Sequence, residues 1–165
     1  MRPVMLATDG SPTAEKAAET AIELAGLLGT ELLITTVWNI PYTTVGLPAA
    51  PISADLAKVS EEEARKIVVE AAARAEEAGV ETRTMVLRGL PVEEICLAAE
   101  RCNPRFLVLG SHGWGTVKRA LFGSVSTGVL HHAVCPVLVV RGEPAPDTAA
   151  VNGVRTHARL TPANE

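Results

Sequence analysis

Five short apolar runs, regularly spaced among longer stretches of helical periodicity, constrain this chain more than any other feature. Residues 4–8 (VMLAT), 31–38 (ELLITTVW), 81–87 (ETRTMVL), 106–109 (FLVL) and 136–141 (PVLVVR) have the length and β-branched content of strands. The first is nearly all apolar and is stopped by Asp9-Gly10, as expected of a strand buried on both faces. Ser11-Pro12 then supplies an N-cap and a first-turn proline for an Ala/Leu-rich helix that closes near Gly29. Residues 53–78 carry apolar side chains at helical spacing before Gly79, residues 91–102 suit a short helix, and residues 125–133 suit another. Residues 39–52 hold Pro41, Gly46, Pro48 and Pro51, which continue neither regular structure and read as a long loop. Strand alternating with helix, joined by right-handed crossovers, gives an α/β fold with a parallel sheet covered by helices on both faces.

The remaining bulk properties narrow the function class. The 165 residues suffice for one domain with a substantial core, residues 1–142, followed by a polar, aperiodic stretch, residues 143–165, that reads as a mobile tail. A formal net charge of -4, with two Trp, one Tyr and two Phe, argues against a nucleic-acid-binding surface. No apolar run reaches membrane-spanning length and no secretory signal pattern opens the chain, so a cytoplasmic protein is expected. Cys96, Cys102 and Cys135 form no Cys-x-x-Cys pair and read as buried reduced thiols.

Chemistry concentrates at one strand exit. Gly110-Ser111-His112-Gly113-Trp114-Gly115 leaves the fourth strand, and Gly123-Ser124-Val125-Ser126 opens the helix that follows. Glycines let backbone amides approach phosphate oxygens, and a helix N-terminus adds unpaired N–H groups and a positive dipole end. The hydroxyls of Ser124 and Ser126 can donate to phosphate, and Lys118 and Arg119 either neutralise charge or form a solvated loop face. The P-loop pattern fails because Thr116 follows Gly115, and the dinucleotide pattern fails because Lys118 stands where its third glycine belongs. Glycines that only shape a turn remain the plain alternative. Asp9, at the exit of the first strand, is either a turn former or a ligand contact, and the two exits meet if strands one and four are neighbours.

A hydrolase triad of Asp9, Ser111 and His112 is disfavoured, since Ser111 lies outside a G-x-S-x-G elbow. His131 and His132 point about 100° apart on a helix and do not readily share a metal with Cys135. No catalytic residue and no metal-ligating set is assigned.

The spacing Gly110-x2-Gly113-x9-Gly123-Ser124, the opening strand ending in Asp-Gly-Ser and the closing Cys-Pro-Val-Leu-Val-Val-Arg together resemble the ATP-binding branch of the universal stress protein family over residues 1 to about 142. The resemblance implies a doubly wound five-stranded parallel sheet of order 3-2-1-4-5. It implies further that Asp9 approaches the ribose or adenine, that Val37 meets adenine through backbone atoms, and that Gly110, Gly113, Gly123, Ser124, Val125 and Ser126 surround ribose and phosphates. ATP accompanied by magnesium is the implied ligand. Trp114 departs from the smaller or basic residue common there, without altering the spacing. The last strand, opened by Pro136 and closed by Arg141, is apolar at successive positions although expected at the sheet edge, and a homodimer built on it is expected both from its exposure and from the resemblance. The leading expectation is a stress-response nucleotide-binding regulator. A slow ATP hydrolase or adenylyl-transfer enzyme on the same fold is the alternative, and a ligand-free structural dimer the third.

Overall fold

A computed structural model describes residues 1–39, 54–113 and 122–142. The elements follow the expected alternation: β1 (Val4–Ala7), α1 (Pro12–Leu28), β2 (Leu32–Trp38), α2 (Ala54–Glu77), β3 (Thr82–Arg88), α3 (Pro91–Cys102), β4 (Phe106–Gly110), α4 (Ser124–His132) and β5 (Val137–Val140). All strand pairings are parallel, and the sheet runs β3-β2-β1-β4-β5. β1 is central, hydrogen-bonded to β2 on one side and β4 on the other, which is why all four of its residues are apolar and buried. The order reverses between β1 and β4, so their two exits lie side by side.

The helix caps follow from local chemistry. Ser11 accepts a hydrogen bond from the Ala14 N–H at 3.3 Å, Pro12 occupies the first turn of α1, and Gly29 adopts the left-handed conformation that closes it. The buried face of α1 is Ala14, Ala17, Ala18, Ala21 and Ala25. Small side chains at helical spacing let α1 lie close on β1 and β4.

Alternation along the strands divides the core into two layers. Val4, Leu6, Ile34 and Val108 face α1 and α2, meeting Ala17, Ala21, Val68 and Ala75. Met5, Ala7, Leu33, Leu107 and Leu109 face α3 and α4, meeting Ile95, Ala99 and Val129. The three cysteines are free and half-buried, less enclosed than the sequence suggested. Burial raises the thiol pKa of Cys96 and of Cys135, the latter opposed in part by Arg2. No helix among the described residues is long and apolar enough to cross a membrane. Residues 40–53, which include most of the expected long loop, and the tail from 143 onward lie outside the described residues, as do Trp114, Gly115, Lys118 and Arg119.

Candidate functional site

The exit of β1 is a tight turn held by its own side chains. The Gly10 N–H donates to Thr8 Oγ1 at 3.2 Å and the Ser11 N–H to Asp9 Oδ1 at 3.0 Å. Gly10 has φ 71°, a conformation that favours glycine, and its Cα faces Ile67 of α2. Asp9 is thus both a turn former and an exposed carboxylate at the sheet's C-terminal edge.

The exit of β4 is stitched to its neighbours at each step. The Ser111 N–H donates to Val140 O at 2.8 Å, and Ser111 O accepts from the Gly123 N–H at 2.7 Å and from Ser126 Oγ at 2.9 Å. Ser11 Oγ donates to His112 O at 3.4 Å, joining the two exits. A Cβ on Gly110 would lie 3.0 Å from Ala14 N and Thr13 C, backbone atoms of α1 with no room to move, so this glycine serves the close approach of strand to helix. A Cβ on Gly113 would collide with Asp9 Oδ2. Gly113 therefore admits the Asp9 carboxylate, a reason for glycine here that phosphate contact alone does not supply.

Ser126 is buried, and its hydroxyl lies within hydrogen-bond reach of both Ser111 O and Gly123 O. Its one proton is committed inside the protein, which removes it from the phosphate donors expected from the sequence. Ser124 remains exposed. α4 begins after Gly123 with no side-chain cap, leaving first-turn N–H groups and the positive end of the helix directed at the site.

These exits enclose a cavity of about 300 Å³. Asp9, Val37, Gly110, Gly113, Gly123, Ser124, Val125 and Ser126 all line it, so the structure brings every expected site residue to one place. One end is apolar, bounded by Ala7, Val37, Pro91, Ile95 and Leu109; the other is made of glycine backbone, Ser124 and the α4 N-terminus. Ser111 Oγ lies 3.1 Å from His112 Nδ1, and both residues belong to the cavity lining, with Ser111 buried. No group of three or more His, Cys, Asp or Glu able to hold a metal occurs among the described residues.

The model of the universal stress protein family matches residues 1–141. The chain belongs to the universal stress protein family. A universal stress protein of Methanocaldococcus jannaschii is 34% identical over 139 residues, covering 84% of this chain and 81% of that protein. One from Bacillus subtilis is 32% identical over 144 residues, covering 84% and 97%. Among solved structures, UspA of Lactobacillus plantarum superposes with a TM-score of 0.74 at 22% identity, over 84% of this chain and 97% of that one. A universal stress protein in complex with cAMP gives 0.64 at 27% identity, over 84% and 96%. A universal stress protein of Archaeoglobus fulgidus in complex with dAMP gives 0.63 at 22% identity, over 85% and 98%.

Several cavity residues of this universal stress protein family member escaped the sequence reading, Pro91, Ile95 and Thr35 among them. Pro91 and Ile95 form a wall from α3, and Thr35 lies in the floor. The paired threonines in an otherwise apolar strand, ITTV, were the available signal for the last.

Proposed function

We propose that this chain is an ATP-binding regulatory protein of the stress response, in which the nucleotide stabilises one conformation and no rapid chemistry follows. The carrying observation is a single cavity lined by apolar side chains at one end and by glycine backbone and a helix N-terminus at the other, with the Asp9 carboxylate against Gly113. In this reading Val37, with Ile95 and Leu109, encloses the base; Asp9 faces the ribose; and Gly110, Gly113, Gly123, Ser124, Val125 and, through its backbone, Ser126 surround ribose and phosphates. The α4 N-terminus favours an anion there. Solved relatives with cAMP and dAMP support the adenine-nucleotide class. Magnesium fits as a companion of the phosphates rather than a resident ion: it takes few protein ligands and keeps several waters, and Asp9 and Ser124 are the residues that would hold those waters.

Titration calorimetry with ATP, ADP and AMP, followed by product analysis after long incubation, tests the proposal. Saturable binding with little product is expected. Absence of binding to all three contradicts it, and turnover at an ordinary enzymatic rate favours the hydrolase or adenylyl-transfer alternative. Gly113→Val is expected to abolish binding, because the new side chain displaces Asp9 and enters the phosphate end, while circular dichroism stays unchanged.

The proposal extends to a cytoplasmic homodimer through β5. Among the described residues this edge strand has one backbone edge unpaired, Leu138 is 38% exposed and the adjoining Val134 is 73% exposed. Light scattering at micromolar concentration should give the mass of two chains, and the mass of one chain contradicts it.

A further inference from the structure

Thr35 is fully buried, and its Oγ1 makes no hydrogen bond among the described residues. It also lines the cavity. A buried hydroxyl without a partner is costly, whereas valine, of the same shape, would carry no such cost. The hydroxyl therefore needs a partner from outside the fold.

The sheet register says where that partner must lie. Thr35 pairs with Ala7, Ala7 with Leu109, Leu109 with Val139, and Thr35 on its other side with Met85. One row thus crosses the sheet as Met85, Thr35, Ala7, Leu109 and Val139, and the others in it are apolar members of the layer under α3 and α4. Val37 stands two residues further along β2 on the same face, so Thr35 lies about 6.6 Å deeper from the strand exits. Ala7, the smallest side chain of the row, stands beside Thr35 in the cavity lining. A buried water is held by two to four polar partners, and the neighbours of Thr35 in this row, Ala7 and Met85, offer it no side-chain partner.

We propose that the Thr35 hydroxyl hydrogen-bonds the polar edge of the six-membered ring of the bound purine. It is the deepest polar contact of the base. A hydroxyl both donates and accepts, so Thr35 recognises that the ring edge is polar without dictating one pattern of donors and acceptors. This inference rests on the proposal that the cavity takes an adenine nucleotide with its base in the apolar end.

The test compares AMP with benzimidazole riboside 5′-phosphate, a nucleotide of similar shape whose six-membered ring has no nitrogen and no amino group, on wild type, Thr35→Val and Thr35→Ser. Thr35→Val should weaken AMP roughly three- to tenfold and leave the benzimidazole nucleotide within about twofold of wild type. Thr35→Ser should retain AMP binding. The ligand-free Thr35→Val protein should melt at or above the wild-type temperature, because the orphan hydroxyl is gone; Thr35→Ala gives the same binding comparison if the valine variant does not melt cooperatively. Equal affinity of wild type and Thr35→Val for AMP overturns the inference, as does an equal loss for both nucleotides. If wild type binds neither nucleotide, the nucleotide reading of the cavity falls and the inference falls with it.

Discussion

The two faces of the sheet are made from alternate residues of the same strands, yet among the described residues the cavity of the candidate site lies on the one beneath α3 and α4. Under α1 and α2, Val4, Leu6, Ile34 and Val108 meet the alanine stripe of α1 and Val68, Ala71 and Ala75 of α2, and the layer is closed. Under α3 and α4 the layer is equally apolar lower down, at Met5, Leu33 and Leu107, but ends near the strand exits in Ala7, Thr35, Leu109 and open space. Packing makes one face a foundation and under-filling makes the other a site. The difference arises from a few small or polar side chains set where the strand order reverses.

Substitutions on the two faces should therefore act differently. Ile34→Ala, in the closed layer, is expected to cost about 3 kcal/mol in chemical denaturation without altering nucleotide affinity in the folded fraction. Gly110→Val drives a side chain against the backbone of α1 at the join between the faces. A loss on the order of 2 kcal/mol together with weakened binding is expected. Ala7→Leu fills open space instead of overpacking the layer, so stability should stay within about 1 kcal/mol of wild type while calorimetry records at least a roughly tenfold loss of affinity, about 1.4 kcal/mol. An Ala7→Leu protein as destabilised as Ile34→Ala would break the comparison. Ser126→Ala removes the hydroxyl that holds Ser111 O and Gly123 O. About 1 kcal/mol of stability is expected to go, with a modest loss of affinity because the loop loosens.

What the sequence made legible follows from how local each signal is. Strand exits, the Ser11 cap, the Gly29 stop and the spacing of Gly110, Gly113 and Gly123 are written in neighbouring residues, and the structure has them at the expected places. The strand order followed from the resemblance. Features that depend on register or on which helix covers which strand were not legible. Thr35 could be read as one more β-branched core residue until its pairing with Ala7 set it beside the cavity. Pro91 and Ile95 became a wall only through the crossover that lays α3 on this face. The committed proton of Ser126 and the contact of Gly110 with α1 are tertiary facts with no sequence signature.

Backbone amide resonances followed during titration with ATP and magnesium would show whether the under-filled face is an adenine-nucleotide site. Saturable shifts are expected, concentrated at Asp9, Val37, Gly110, Gly113 and Gly123 through Ser126, with the buried amides of α1 and α2 nearly still. No saturable shifts, or shifts centred on the α1 and α2 face, would contradict it.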